Sequence, residues 1–569
     1  MVDLNNKYLF IFAISVFLVL SISGAGIYLN DEWMVGQQLN QLSQGHQLLT
    51  NEGKYGYNMN GTIGNYMTAR VNILIYPLAL PLISLPAYFL FSLLSTDFTR
   101  YFIIFFWGLL GLYIGYYIRN NIDKNIGTLI ISGINILVII NLAISTNFIM
   151  TGKYVPYEMI PIVFTNIILF GIFSVTCFKV TELLFTEKFK QLVGWILCIS
   201  MTSLIFWSTT LKDHMLMATL IMLMCYLHIA CDDGRYWKLC MSYFIAGLLI
   251  WIRPEVGICI TAAMFIFDLY YYFRYDIMAL IVTPLCLLPG GIILLLNNYF
   301  VTGNATTSPF LVSTINQIFV TSLPSNIAAA NQTSSNIINH ILWIPSQIIY
   351  AQVYPTFTEQ WVNFIFSPLS GAVGLIVPLC LVIFSVLVYI KHRPVISQNI
   401  KFLIVIGLSS ISYYLLMSGS YIGVDNGIIP DIRYFTTAYT ILTLAALSLL
   451  PYDINYRKVF KNIFIYVPIV IILALFIISI YPPAGGTYKL FRIVPEIIST
   501  LSLATMLILL VNDKNDNPSK WFERLIPIVI ASAFTWQIVM VFVYHISKAH
   551  YYPMFLPITE FLYKLLFGV

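Results

Sequence analysis

The sequence predicts an all-α protein, a polytopic bundle of transmembrane helices, and three observations carry that prediction. Hydrophobic residues fill 59% of the 569 positions and charged residues only 9%. A soluble domain carries roughly a quarter charged residues, so most of this chain cannot face water, and the mean hydropathy of +0.84 agrees. Apolar runs of about 20 residues, long enough to cross a hydrocarbon core of about 30 Å, recur from end to end. The Lys and Arg residues sit in short loops between those runs. The net charge of +5 therefore reports membrane orientation rather than nucleic-acid binding.

The first apolar run, residues 8–28, is longer than the core of a signal peptide. It ends in Asn30-Asp31-Glu32-Trp33 without a small-residue cleavage site, so it reads as a retained span. A polar stretch to Arg70 and an apolar segment at 71–94 follow. Further runs lie near 101–118, 127–149, 159–178, 191–210, 213–231, 239–252, 256–273 and 277–297. The rest lie near 365–390, 402–420, 434–451, 462–481, 493–512 and 525–547. The expectation is about 13–15 spans in a single integral membrane domain over residues 1–569, with no internal repeat and no interdomain linker. The eight cysteines fall in or beside apolar runs without a CxxC pair. They read as small packing residues, not a disulfide framework or a zinc site.

Topology turns on residues 71–94. Hydropathy alone makes this segment a span, yet Pro77, Pro81 and Pro86 favour a bent or re-entrant piece. If it stays on one side, the loops at 119–126, 179–190, 232–238, 274–276, 391–401, 452–461 and 513–524 join the N-terminus inside. Those loops and Lys7 hold most of the 29 Lys and Arg. If it crosses, the bias reverses. The Lys/Arg excess marks the inner side, so residues 71–94 are placed on the outer surface. The outer face then holds residues 29–100 with their juxtamembrane segments, 153–158, a long loop at 298–363, 421–433, 481–492 and the C-terminal tail. The sequons at Asn304 and Asn331 fall on that face. Residues 555–567 are expected to form an interfacial helix, and apolar stretches at 315–320 and 337–349 suit helices within the long loop.

Charges are costly near a membrane, so clusters of them need a reason. The outer segments supply Asp31 and Glu32, then Lys54 beside Tyr55, then Lys153 and Glu158, then Arg253 and Glu255 around a proline, and finally Asp431 and Arg433. Carboxylates from different segments can hold a hard divalent ion or take a proton from an attacking hydroxyl. Nearby Arg and Lys can bind phosphate. That combination suits transfer from a phosphate-activated donor, and it also suits an ion-coupled transporter. Each residue has a plainer reading: Asp31 and Glu32 as a solvated span terminus, Glu158 as a carboxylate meeting a helix dipole, Arg253 and Glu255 as a local ion pair. Lys54 then becomes loop surface and Arg433 an interfacial snorkel. His46 and His214 read as surface polar residues.

With these residues in place, the layout resembles the GT-C superfamily of polytopic membrane glycosyltransferases, which includes protein O-mannosyltransferases and lipid A aminoarabinose transferases. The resemblance covers about residues 1–450. It rests on Asp31-Glu32-Trp33 just after the first span, and on a juxtamembrane segment at 71–94. Two spans with a basic turn at Arg119–Lys124 follow, then Thr151-Gly-Lys-Tyr-Val-Pro-Tyr-Glu158 with Glu where the family often has Asp. The Gly- and Arg-containing stretch Gly247–Glu255 and the Asp431-Ile-Arg-Tyr434 segment complete it. The resemblance implies an enzyme that transfers a sugar, a hexose or a pentose, from a polyprenyl-phosphate donor to a glycan, lipid or protein acceptor with inversion. Asp31 would be the general base, with Glu32 its competitor and Glu158 completing the acidic site. Asp31 and Glu158 would hold Mg²⁺ or Mn²⁺ if a metal is used. Lys54, Arg253 and Arg433 would meet the leaving phosphate, with Tyr55, Lys153, Glu255 and Asp431 nearby. Apart from the resemblance, high Ile, Asn, Tyr and Lys usage without an organelle signal points to a microbial plasma membrane, and the Lys/Arg bias puts the N-terminus in the cytoplasm and the catalytic face outside. The alternatives are a secondary transporter or lipid flippase, and a lipid-linked glycan ligase or polymerase.

Overall fold

A computed structural model describes residues 4–24, 26, 32–45, 49–50, 68–70, 73–74, 78–94, 96–145, 157–200, 204–231, 236–273, 277–302, 304–306, 372–421, 436–450, 453–480, parts of 501–511, 517–548 and 554–567. Asp31, Lys54, Tyr55, Lys153, Asp431 and Arg433 lie outside these residues, as do the Asn331 sequon and most of the long loop at 298–363.

The fold is a polytopic α-helical bundle. The first group of helices is α1 (Leu4–Ile22), α2 (Glu32–Ser43), α3 (Ala79–Ser92), α4 (Thr96–Asn121), α5 (Lys124–Ile144) and α6 (Met159–Leu184). A middle group holds α7 (Lys188–Ser200), α8 (Leu204–Trp207), α9 (His214–Ile229), α10 (Tyr236–Ile252), α11 (Pro254–Asp268), α12 (Ile277–Leu285) and α13 (Leu288–Thr302). After the long loop come α14 (Ala372–His392), α15 (Gln398–Tyr421), α16 (Thr436–Ser448), α17 (Tyr456–Ile480), α18 (Asn517–Lys548) and α19 (Pro557–Phe567). Among the described residues, six helices are long and apolar enough to cross a membrane: Phe98–Asn121, Lys124–Ile144, Met159–Leu184, Pro254–Tyr271, Leu280–Tyr299 and Tyr456–Phe476. Seven shorter apolar helices accompany them.

α6 is the central helix, buried along most of its length and packed against α1, α3, α7 and α9. α1 runs antiparallel to it. Lys7 and Tyr8 at the start of α1 bind Glu182 near the end of α6, and Ser15 Oγ donates to Ser174 Oγ at 2.7 Å. The α4–α5 hairpin shows how local sequence sets the turns. The Asp123 carboxylate caps α5, accepting the Asn125 and Ile126 N–H groups at 2.8 and 2.9 Å.

Three features differ from the sequence-based expectation. A small antiparallel sheet stands between α2 and α3, with β1 (Leu49–Thr50), β2 (Thr68–Arg70) and β3 (Ile73–Leu74) in the order β1-β3-β2. Strands of two or three residues are too short to show the period-two alternation that reveals a strand. The run at 191–210 stops short of its expected end: it holds α7 and the short α8, and a polar bend occupies 208–213. The run at 277–297 breaks between α12 and α13, where Pro284 and Pro289 withdraw backbone donors. The segment at 71–94 forms β3 and then α3, which contains Pro86 and packs on α2 and α6. At 14 residues α3 is about 21 Å long, short of the roughly 30 Å a crossing requires.

Candidate functional site

The helix directions place several of the predicted site residues at one end of the bundle. α6 starts at that end, with Glu158 in its N-cap position. Because α1 is antiparallel to α6, the end of α1 and the start of α2, where Glu32 stands, belong to the same end. Glu32 is fully buried, so it is not a solvated span terminus. Glu158 is 3% exposed and makes no capping hydrogen bond with its side chain. Above it, Tyr157 packs edge-on against Tyr88 of α3, and its phenol lies 3.4 Å from Thr99 Oγ1 of α4. The starts of α4 and α6 and the body of α3 therefore meet around Glu158. Burial raises the Tyr157 pKa, with the Tyr88 and Glu158 charges adding to it and Thr99 opposing it.

The strongest cluster lies in two bends that the helices deliver to one place. The first is Ser208–Asp213, between α8 and α9. Asn166, two turns into α6, holds this bend from inside the bundle, donating through Nδ2 to the Thr210 and Lys212 carbonyls at 2.8 and 3.0 Å. The bend is thus recessed by about 12 Å from the start of α6, at a rise of about 1.5 Å per residue. Ser208, Thr209, Thr210, Lys212, Asp213 and His214 are all buried. The His214 ring sits 4.6 Å from the fully buried ring of Trp207. The surface reading of His214 is therefore wrong. An Asp-His pair after an apolar run looks like a loop in sequence, and nothing local shows that the loop is drawn into the bundle.

The second bend joins α10 to α11 at Arg253-Pro254-Glu255. Arg253 N–H closes α10 on the Leu249 carbonyl at 2.9 Å, and the Arg253 carbonyl accepts Gly257 N–H at 2.8 Å. Pro254 is the first residue of α11, where its missing N–H costs nothing. This corner aims the Arg253 side chain across the gap to Asp213. Arg253 Nε donates to Asp213 Oδ2 at 3.0 Å and Nη2 to Oδ1 at 2.8 Å, a two-pronged pair. Arg253 is therefore paired with Asp213 in the facing bend, not simply with its neighbour Glu255. Burial by itself pushes the Asp213 carboxyl up. The charge and hydrogen bonds of Arg253, helped by His214 and Lys212, outweigh that and hold it well below the usual carboxylate range. Glu255 begins α11 beside both of these charges.

The recess thus combines two cations, Lys212 and Arg253, two carboxylates, Asp213 and Glu255, an imidazole and three hydroxyl side chains. Chemically it can bind an anionic headgroup, and Glu158 at the start of α6 supplies a separate acidic group above it. Of the predicted residues, Glu32, Glu158, Arg253 and Glu255 are at this end, while Lys212, Asp213 and His214 were not among the predicted site residues. Among the described residues no group of three or more His, Cys, Asp and Glu is arranged to hold a metal ion. Among the described cysteines, Cys177, Cys198 and Cys225 are buried.

A second buried polar cluster stands at the opposite end. His228 Nε2 lies 2.7 Å from Asp268 Oδ1, and Tyr243 donates to Asp268 Oδ2 at 2.8 Å, tying α9, α10 and α11 together. The His228 ring stacks on Phe402 of α15 at 3.6 Å. Both carboxylate oxygens are satisfied, so this cluster is a bolt between helices.

No protein-family model matches the chain, and no curated protein does. Among solved structures, a match is found with the crystal structure of ArnT from Cupriavidus metallidurans bound to undecaprenyl phosphate. It has 11% sequence identity and a TM-score of 0.39, and covers 95% of this chain and 76% of that one.

Proposed function

We propose that this protein is a membrane glycosyltransferase, moving a sugar from a polyprenyl-phosphate donor onto an acceptor at the outer face with inversion of the anomeric centre. One observation carries the reading: the recessed bends that join Lys212, Asp213 and His214 to Arg253 and Glu255 lie at the end of the bundle where Glu32 and Glu158 are buried. The cations suit a lipid-linked phosphate, whose hydrophobic tail stays in the membrane while its charged head enters the recess. The acidic residues suit the proton chemistry of the acceptor.

On this reading the base, Asp31 or its neighbour Glu32, takes the proton of the acceptor hydroxyl. The oxygen then attacks the anomeric carbon from the side opposite the phosphate. The bond to phosphate breaks, its electron pair leaves with the polyprenyl phosphate, and Arg253 and Lys212 meet the negative charge that develops there. Asp213 keeps the Arg253 guanidinium aligned, and Arg433 and Lys54 are further candidates for the phosphate. Asp31 and Glu158 remain the proposed ligands if Mg²⁺ or Mn²⁺ takes part. Such ions are commonly held by one or two carboxylates together with substrate phosphate. The ion would neutralise phosphate charge. The proposed location is a microbial plasma membrane with this end outside.

The class is tested with purified protein in vesicles, given radiolabelled sugars on polyprenyl phosphate and on polyprenyl diphosphate. Sugar transfer from the monophosphate with release of polyprenyl phosphate is expected. Transfer from the diphosphate alone would make the protein a ligase or polymerase. Movement of the intact lipid across the vesicle without sugar transfer would make it a flippase.

A further inference from the structure

The end of α1 is finished by a part of the chain more than 500 residues away. A helix leaves its last four carbonyls without partners. In α1, Ser23 Oγ returns to the Val19 carbonyl at 2.6 Å. The next carbonyls are met by the C-terminal segment: Thr559 Oγ1 donates to the Ser21 carbonyl at 2.7 Å, and Phe555 N–H donates to the Ser23 carbonyl at 2.9 Å. Gly24 and Met554 face each other as an antiparallel bridge. The same segment is fastened to two other helices. Ile558 N–H donates to Asn141 Oδ1 of α5 at 2.9 Å, and Glu560 Oε2 lies 3.9 Å from the buried Arg100 Nη2 of α4. Met554, Phe555 and Leu556 are fully buried between these elements.

We propose that residues 554–560 are a positioning strap, a remote C-cap of α1 that fixes where the helix stops and so sets the approach of the chain to Glu32. Seven residues lie between the bridged Gly24 and Glu32, so the strap acts through the backbone on the acidic segment and touches no substrate. The assignment of Glu32 and Asp31 to catalysis rests on the glycosyltransferase reading; the strap itself does not.

The test has two arms. In the first, Gly24→Cys with Met554→Cys is oxidised and the crosslink is read by mass spectrometry. Directly facing residues of this kind have Cα atoms about 4.5 Å apart, within disulfide range, so the bridge is expected to form and to leave any activity unchanged. Failure to form it overturns the docking, and activity lost on oxidation and regained on reduction shows a segment that must leave, which overturns a fixed strap. In the second arm, Glu32→Cys is labelled with a membrane-impermeant maleimide, with and without Ile558→Pro and Thr559→Val. Ile558→Pro, in the first turn of α19, removes the donor to Asn141 together with a side chain packed on the core, so its melting temperature is compared with the parent's. Each lost hydrogen bond shifts local opening roughly fivefold, so labelling at residue 32 is expected to rise on the order of tenfold, and Thr559→Ser to restore part of the protection. Unchanged labelling in a strap variant that still melts like the parent overturns the proposal. Sugar transfer is read separately in the parent, with Glu32 intact: a rise in labelling alongside a parent that transfers no sugar keeps the strap and discards the glycosyltransferase reading.

Discussion

The Asp213–Arg253 pair offers a clean perturbation, Asp213→Ala. Asp213 is 2% exposed and the Arg253 side chain 15% exposed, and the two share hydrogen bonds of 2.8 and 3.0 Å. Removing one partner of a buried pair strands the other charge, which costs about 3–5 kcal/mol. Arg253 retains some access to solvent, so the lower end, about 3 kcal/mol, is expected. Replacing both, with Asp213→Ala and Arg253→Met, removes the stranded charge, and the double variant is expected to recover most of the loss. The assay is thermal unfolding in detergent, followed by a thiol-reactive dye that reports exposure of the buried Cys177, Cys198 and Cys225. Single variants that melt like the parent, or a double variant whose loss is the sum of the singles, would refute the claim that this pair joins the two bends.

Four further outcomes follow. The native Asp213 pKa is depressed, so the carboxylate contributes full stability above its unfolded value of about 4 and loses it as pH falls through the native value. The acid limb of the unfolding midpoint against pH is expected to flatten in Asp213→Asn. A Cβ on Gly290 would meet the Gly247 carbonyl carbon and oxygen at 2.1 Å, so Gly290→Ala forces α10 and α13 apart at a cost of about 1–3 kcal/mol, visible as a lower melting temperature. Asp268→Ala strands Tyr243 and His228, with about 2–4 kcal/mol lost, while Asp268→Asn is milder. If Asp31 and Glu158 share a divalent ion, chelation is expected to abolish sugar transfer, with Mg²⁺ or Mn²⁺ restoring it and the melting temperature of the free protein unmoved.

The bundle was legible because its signal is global: a chain with 9% charged residues has few alternatives to membrane helices. The shortness of α3, 14 residues long, was legible through the prolines in its segment. The bend at 208–213 was not legible, because only the tertiary bonds from Asn166 to the Thr210 and Lys212 carbonyls show that the chain turns inside the bundle. For the same reason His214 looked like surface and Lys212 and Asp213 were not among the predicted site residues, whereas Arg253 stood out beside its proline. The buried bolt of His228, Tyr243 and Asp268 was invisible, since its members are 40 and 25 residues apart on helices whose facing sides no local pattern reveals. The strap is the extreme case, a helix end completed by the far end of the chain.

The central claim is that the acidic residues at this end of the bundle carry out sugar transfer. The most direct test compares Asp31→Asn, Glu32→Gln and Glu158→Gln with the parent, measuring transfer from a polyprenyl-phosphate sugar at matched protein level and melting temperature. Loss of a proton-transfer group costs about 10²–10⁴-fold in rate. A loss of that size in Glu158→Gln and in one of the two adjacent variants, with folding intact, is the result predicted. Full turnover in all three variants would contradict the account.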